Sequence, residues 1–223
     1  MPAPTLDEFL KRNVEGYLLG DIKSMSGPQP AGGCGYPLLM TVCSGIELLG
    51  ALSSNLAQPF KTHGMGDKYF LDYWENALYP KDPLRAAGEV VYQLVRHGLA
   101  HSFVTKGDVL VINEAGKPHF TQTAAGVVIN SNHLASEFTR SYHDEFVAKR
   151  LATNRAAMEK RFGEVWNEYE KQAKKLWHLL APLPASPPVA GVSGSAQTSS
   201  PPAVTPGGTS ATLPTTNVSR FGN

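Results

Sequence analysis

The most informative part of the sequence is Val90-Val91-Tyr92-Gln93-Leu94-Val95-Arg96-His97-Gly98-Leu99-Ala100-His101. Apolar residues recur at positions 87, 90, 91, 94, 95 and 99, close to the period of about 3.6 residues that marks a helix with one face against a core. Asp82-Pro83 suits the start of this helix, because aspartate is a good N-cap and proline fits the first helical position. We predict a buried helix over about 83–101, the most central of the domain.

Three polar residues crowd the C-terminal turns of this helix. His97 and His101 are four residues apart and lie about 40° apart on an ideal helix, whereas Arg96 and His101 are about 140° apart. One straight helix cannot aim Arg96 and His101 at one small target. The two side chains converge only if the arginine reaches round the helix, if the helix loosens at Gly98, or if a second copy of the helix faces the first across a two-fold axis.

Composition divides the chain into two parts. The segment from Pro182 to Asn223 is rich in Pro, Ser, Thr, Ala and Gly, and its one charged residue is Arg220. Such a segment buries too little apolar surface to offset its ordering entropy, so we predict a disordered tail over residues 182–223. Residues 1–181 are enough for one domain with a substantial core.

Charge and cysteine content narrow the class of protein. The formal net charge is +1, so no strong positive field favours nucleic acid, and any RNA contact must be local. Cys34 and Cys43 show neither metal-ligand spacing nor a disulfide framework, which suits a reducing cytosol. The N-terminal residues lack the apolar core of a signal peptide. The apolar run 37–52 contains Glu47, which indicates a buried helix rather than a membrane span. We therefore expect a cytoplasmic protein without a membrane segment.

Three further helices are predicted before the central one. Thr5-Leu6-Asp7-Glu8 is a capping box that should open a helix over about 6–19. A second helix, about 37–55, is apolar almost all round and should lie centrally in a bundle. Its glycines, Gly45 and Gly50, cost helix propensity and would let a neighbouring helix approach closely.

A short aromatic-rich helix follows. We expect Asp67 to be its N-cap and Pro80 to end it.

The pattern changes after the central helix. Residues 109–113, 119–123 and 126–129 read as three short strands, which predicts a small antiparallel β insertion at about 108–130. From about Asn132 the helical period returns, either as one long helix or as two with a break near Thr153-Asn154. The predicted fold class is mainly α, a helical bundle with a small antiparallel β insertion and a long C-terminal helix.

The last helix carries many charges. Because its basic residues alternate with glutamates, we predict a mostly solvated face that could supply a weak RNA track. The basic residues are Lys149, Arg150, Arg155, Lys160, Arg161, Lys171, Lys174 and Lys175.

Arg96 and His101 are the candidate catalytic residues, for cleavage of RNA without a metal. An imidazole can take the proton of a ribose 2′-hydroxyl or give one to the leaving 5′-oxygen. A guanidinium can hold the scissile phosphate and offset the charge that grows on it. A purely structural alternative stays open, in which the two side chains cap the free carbonyls at the helix end.

Glu47 and His97 are the supporting candidates. A carboxylate in an otherwise apolar helix needs a partner because a buried unpaired charge is very costly. Arg96 is our candidate partner, either to set the register of the bundle or to orient the arginine.

A metal site is the competing interpretation of the histidines. His97 and His101 could both ligate one ion from a helix face, but a third ligand would have to be Glu47, His133 or His143. Because that set is incomplete, we predict neither a metal nor another cofactor. His63, His119 and His178 have no local partners and are predicted to lie on the surface.

Arg96-His97-Gly98-Leu99-Ala100-His101 resembles the Arg-polar-x3-His signature of the HEPN superfamily, the higher-eukaryote and prokaryote nucleotide-binding domains. The segments Cys43–Gly50 and Tyr92–Lys106 are also similar to bacterial HEPN-like proteins, so the resemblance covers about residues 37–106. It implies a helical bundle that dimerises through the motif helices. It also implies that Arg96 contacts phosphate, that His101 is the acid or base, and that His97 is the polar residue after the arginine.

The leading expectation is a homodimeric, metal-independent endoribonuclease of HEPN type in a bacterial toxin or defence setting. Its partners would be RNA and an antitoxin-like or nucleotidyltransferase protein. A non-catalytic HEPN-like nucleotide- or protein-binding module is the alternative. A structural adaptor built on the long C-terminal helix is a third interpretation.

Overall fold

The computed structural model describes residues 3–26, 34–102, 105, 107, 109–114, 116–124 and 126–177. These residues belong to one unit of the chain, Met1–Ala181. The predicted tail over 182–223 and His178 lie outside the described residues.

The described residues form a mainly α fold, as predicted, with five helices and one small sheet. Helix α1 comprises Leu6–Phe9, Leu10–Leu18 and Leu19–Met25, and α2 is Gly35–Ser53. Helix α3 comprises Gly66–Tyr73 and Trp74–Leu78; α4 comprises Pro83–Ala87, Gly88–Val90, Val91–Arg96 and His97–Ser102. Strands β1, β2 and β3 are Val109–Ile112, Thr121–Thr123 and Gly126–Asn130. Helix α5 comprises Ser131–Ser141, Tyr142–Leu151 and Ala152–Trp177.

Helices α1 and α2 follow the local signals closely. The capping box at the start of α1 is confirmed, because the Thr5 hydroxyl accepts from the Glu8 amide and the Glu8 carboxylate accepts from the Thr5 amide. Helix α2 lies at the centre of the bundle and contacts all four other helices. It ends at Ser53, two residues earlier than predicted, because Ser54 is extended and Asn55 has a φ of 36°.

The glycines of α2 mark two close helix crossings, as predicted. A Cβ on Gly45 would lie 2.6 Å from the Phe138 ring of α5. A Cβ on Gly50 would lie 1.9 Å from the carbonyl oxygen of Tyr69 in α3. The backbones of α2 and α3 therefore meet where only a hydrogen atom fits.

Helix α4 begins as predicted but is not the most central helix. The Asp82 side chain accepts from the Leu84 amide and caps the helix at Pro83. Val91, Val95 and Leu99 are buried, whereas Val90 is 44% exposed and His101 is exposed. The amphipathic period of α4 indicates only that one of its faces is covered. The central helix is α2, which is apolar almost all round.

The N-cap expected for α3 is wrong. The helix begins at Gly66 after Met65, so Asp67 lies inside its first turn, where its carboxylate accepts from the Lys68 amide. An acidic residue in this position still complements the positive end of the helix.

The sheet is mixed rather than antiparallel, which corrects the prediction. Strand β3 is central, pairing parallel with β1 and antiparallel with β2. The two apolar strands lie side by side, with Val109 and Ile129 buried, and the exposed Thr-Gln-Thr of β2 takes an edge. In this order the apolar strands β1 and β3 cover each other, and the polar strand β2 lies at an edge. A β1–β2 hairpin would instead pair an apolar strand with a polar one, although polar residues suit an edge.

Helix α5 bends where the sequence indicated a break. Asn154 has non-helical dihedral angles, with φ −123° and ψ 26°. Two of its basic residues do not belong to a solvated face, which corrects that prediction. Arg161 is 2% exposed, and the half-buried Arg150 forms an ion pair with Asp72 at 3.1 Å.

Helix α2 is also the one described helix that is long and apolar enough to cross a membrane. More than half of its apolar window is buried inside the protein. Residues such as Leu38, Val42 and Leu49 are fully buried against the other helices. The apolar character of α2 is therefore used for the core of the bundle.

Candidate functional site

The predicted contact between Arg96 and Glu47 is present. Arg96 Nη2 lies 2.8 Å and Arg96 Nε 3.0 Å from Glu47 Oε2, so two guanidinium nitrogens hold one carboxylate oxygen. Each side chain is about a quarter exposed. Arg96 thus points across to α2 and not toward carbonyls at the end of its own helix, which argues against the capping interpretation for this residue.

Glu47 is supported from a second side by the start of α3. A Cβ on Gly66 would lie 2.8 Å from Glu47 Oε1 and 2.9 Å from the hydroxyl oxygen of Tyr92. The carboxylate therefore lies beside the first residue of a helix, where the helix dipole favours negative charge. Arg96 and this helix end together explain how an otherwise apolar helix accommodates Glu47.

Aromatic contacts connect the polar residues of α4. The Arg96 guanidinium lies over the Tyr92 ring, 5.8 Å from its centroid. The His97 ring meets the same tyrosine edge-on at 5.2 Å, and the His101 ring lies 5.3 Å from that of His97. His97 is thus the histidine that contacts Tyr92, the residue under the Arg96 guanidinium. His101 lies beyond His97, toward solvent.

Arg96 and Glu47 line a polar cleft of about 190 Å³. The cleft also receives residues from the loop before α3 and from the last helix. The remaining lining residues are Ser44, Leu48, Ala51, Phe60, Lys61, Thr62, Gly66, Tyr69 and Tyr169.

Only one of the two predicted catalytic residues lines this cleft. Arg96 lines the cleft, whereas His97 and His101 are not among its lining residues. The aromatic lining residues Phe60, Tyr69 and Tyr169 were not predicted. Tyr169 lies far from Glu47 along the chain, so no local pattern could have placed the two in one cleft.

Cys43, a buried residue of α2, has a perturbed pKa. Burial raises the pKa of the Cys43 thiol to about 12, with Arg96 lowering it and Glu47 raising it by smaller amounts. Cys34 is only partly buried.

We expect these two thiols to differ in reactivity. At pH 8 a thiol with a pKa near 12 is almost entirely protonated, and the thiolate is the reactive form. Titration of the native protein with a thiol-specific chromophore should show Cys34 reacting well before Cys43, and both reacting in denaturant. Equal rates for the two thiols in the native protein would contradict the expected burial of Cys43.

A second cluster of titratable residues was missed. His119 was predicted to lie on the surface, but its side chain is only 6% exposed, which corrects that prediction; His63 is exposed as predicted. His119 Nε2 lies 3.5 Å from Glu137 Oε2, and His133 Nε2 lies 3.3 Å from Glu137 Oε1. Tyr79 donates a hydrogen bond to the same carboxylate. The spacing of four between His133 and Glu137 was the one local signal for this cluster.

This cluster fastens the sheet to α5. His119 Nδ1 accepts from the Asn130 amide at 3.1 Å, and the two imidazole rings stack at 4.5 Å. Burial would raise the pKa of Glu137, but contacts with His119, Tyr79 and His133 together bring the pKa below its ordinary value. The carboxylate therefore stays charged at neutral pH and ties three segments together.

The histidines of α4 do not gather a metal-ligand set. Within the described ranges, no group of three or more His, Cys, Asp or Glu side chains is arranged to hold a metal ion. The third ligand that the metal interpretation required is therefore not found beside His97 and His101 in that part of the chain.

Comparisons with known proteins found no matching family model, no matching curated protein and no matching solved structure.

Proposed function

We propose that the protein is a HEPN-like, metal-independent endoribonuclease that acts as a homodimer in the cytoplasm. The observation that carries the proposal is the placement of Arg96 in a polar cleft, oriented by Glu47, with the exposed His101 farther along the same helix. Arginine recognises phosphate through several fixed N–H donors.

The proposed reaction is cleavage by the ribose 2′-hydroxyl. The 2′-oxygen bonds to phosphorus and the bond from phosphorus to the 5′-oxygen breaks, which leaves a 2′,3′-cyclic phosphate and a 5′-hydroxyl. His101 takes the 2′-hydroxyl proton or supplies the proton that the 5′-oxygen needs. Arg96 binds the phosphate and stabilises the charge that develops on it.

Two protomers would supply one site in this proposal. His101 is exposed and outside the cleft of its own chain, so a second copy could receive it beside Arg96. Helix α4 also exposes Val90, an apolar residue that a partner helix would cover. A two-fold axis between two α4 helices would create two equivalent composite sites.

The HEPN assignment carries further proposals. RNA is the proposed substrate, a toxin or defence system the proposed setting, and an antitoxin-like or nucleotidyltransferase protein the proposed regulator. The supporting feature is the Arg96-His97-x3-His101 motif on a helix of a bundle.

Substitution of the two motif residues tests the proposal directly. With EDTA present, His101→Ala and Arg96→Gln should each lower the rate of RNA cleavage about a hundredfold. His63→Ala is the matched control, since His63 is exposed and lies outside both α4 and the cleft. Cleavage that survives His101→Ala unchanged would remove His101 from the mechanism.

Mixing the two inactive variants tests the composite site. A heterodimer of Arg96→Gln and His101→Ala has one site with both substitutions and one intact site. Random exchange of subunits should therefore restore about a quarter of the wild-type rate in a composite arrangement. A mixture that stays as inactive as its components would place both residues in sites of single protomers.

A second candidate function, a non-catalytic nucleotide-binding module, is favoured by one observation. The cleft of a single protomer combines Arg96 and Lys61 with aromatic rings but does not include His101. This candidate predicts binding of a mononucleotide, with no cleavage of RNA by the wild-type protein.

A further inference from the structure

The aromatic wall of the cleft, formed by Phe60, Tyr69 and Tyr169, has no role in the proposed cleavage step. Phe60 stacks on Tyr69 with ring centroids 5.7 Å apart, and Tyr169 meets Phe60 edge-on at 6.3 Å. The Tyr69 hydroxyl accepts from the Lys61 amide and donates to the Lys61 carbonyl. These bonds hold Tyr69 against the loop that carries Phe60.

Tyr169 is the exposed member of the wall. Tyr69 is buried, whereas Tyr169 is 49% exposed on the last helix and still lines the cleft. Tyr169 thus combines a position in the cleft lining with exposure to solvent, and exposed aromatic side chains are the surfaces on which unpaired bases stack. Partial burial, Glu47 and Tyr69 raise the pKa of Tyr169, so its hydroxyl stays neutral beside an anionic ligand.

The groups around the wall suit one phosphate. The lining carries two cationic residues, Lys61 and Arg96, against one carboxylate, Glu47. The hydroxyl-bearing residues Ser44 and Thr62 also line it. The lining therefore has one excess positive charge, which matches the single negative charge of one phosphodiester. The cleft volume of about 190 Å³ is below the range of about 300–1,000 Å³ that is typical of sites enclosing a whole small molecule, so a ligand would be only partly enclosed.

We infer that the cleft is a subsite for one unpaired nucleotide of single-stranded RNA, with the base stacked on Tyr169 and its phosphate at Arg96 and Lys61. The choice of RNA as ligand rests on the proposed function. A duplex does not fit this arrangement, because its bases are stacked on one another and present no free face. The subsite would give the enzyme its preference for unpaired segments.

A non-cleavable ligand separates this subsite from the chemistry. The probe is a fluorescein-labelled decamer of 2′-O-methyluridine, which lacks the nucleophilic hydroxyl, and binding is followed by fluorescence anisotropy. Tyr169→Ala should weaken binding on the order of tenfold through loss of base stacking, while Tyr169→Phe should bind like wild type. Tyr17→Ala is the matched control, because Tyr17 is exposed on α1 and does not line the cleft.

A salt titration of the same binding reaction tests the phosphate contact. The measured quantity is the slope of the logarithm of the binding constant against the logarithm of the salt concentration. Lys61→Ala should reduce the magnitude of this slope by about 1, the contribution of one phosphate contact. An unchanged slope would remove Lys61 from the subsite.

The outcomes for the subsite and for the proposed nuclease are distinguishable. The subsite is overturned if the wild-type protein does not bind the probe, if Tyr169→Ala binds it as tightly as wild type, or if Tyr169→Phe loses as much affinity as Tyr169→Ala. If Tyr169→Ala weakens binding while no RNA is cleaved, the subsite stands and the nuclease proposal fails. If cleavage depends on His101 while Tyr169→Ala binds normally, only the subsite is lost.

Discussion

Gly50→Ala is expected to lower the free energy of unfolding by about 3 kcal/mol or more. A Cβ at this position would lie 1.9 Å from the Tyr69 carbonyl oxygen and 2.7 Å from its carbonyl carbon. Both clashing atoms belong to the backbone of α3, so no side-chain rotation relieves the contact. The two helices would have to separate, and packing around the fully buried Leu49 and Phe70 would be lost with them.

Gly163→Ala is the matched control for this substitution. Gly163 lies in α5 with no atom within 4 Å of the position of an added Cβ. Alanine in an open helical position should raise the free energy of unfolding by about 0.5–1 kcal/mol. Urea unfolding followed by tryptophan fluorescence measures both variants. A Gly50→Ala protein as stable as wild type would show that α2 and α3 do not approach this closely.

Arg161→Ala is the second substitution with a large expected effect, again a loss of about 3 kcal/mol or more. Arg161 is 2% exposed, and its guanidinium donates to four backbone carbonyls in the last turn of α2 and in the residues just after it. The acceptors are the carbonyl oxygens of Ala51, Ser54, Asn55 and Gln58. Removing the guanidinium takes a donor from one buried and three partly buried carbonyls, of which Asn55 keeps the amide of Gln58, and leaves a cavity where the side chain was.

Two further variants make this test specific. Lys160→Ala, at the neighbouring exposed position, should leave the free energy of unfolding within about 0.5 kcal/mol of wild type. Arg161→Lys keeps the charge but loses the planar fork, so it should recover little of the loss. If Arg161→Ala unfolds at the same urea concentration as Lys160→Ala, the bridge from α5 to the end of α2 is not important for stability.

Arg161 also connects stability to the candidate site. Glu164, 3.5 Å from Arg161 Nε, accepts from the Phe60 amide at 2.9 Å. The same pair of residues therefore positions both the end of α2 and the aromatic wall of the cleft. Arg161→Ala should consequently weaken binding of single-stranded RNA even at temperatures where the variant is folded.

Some of the candidate site was accessible from the sequence. The contact between Glu47 and Arg96 could be predicted because a carboxylate in an apolar helix requires a cation, and Arg96 was the cation at the end of another predicted helix. His119 and Arg161 could not be predicted in the same way. Their partners are a carboxylate on another element and backbone carbonyls about 100 positions away, and hydrophobic periodicity does not report such contacts.

The amino-acid sequence by itself determined the helices, the capping box at Thr5, the tight packing at Gly45 and Gly50 and the bend at Asn154. Propensity, capping and periodicity act over a few neighbouring residues, so local sequence patterns are enough to predict these features. The tertiary structure decided that β3 lies between β1 and β2, that α2 and not α4 is central, and that Tyr169 joins Arg96 in one cleft. Those outcomes depend on which apolar surfaces pack against one another when segments far apart in the sequence come together. Packing of that kind involves the whole chain and leaves no local sequence pattern.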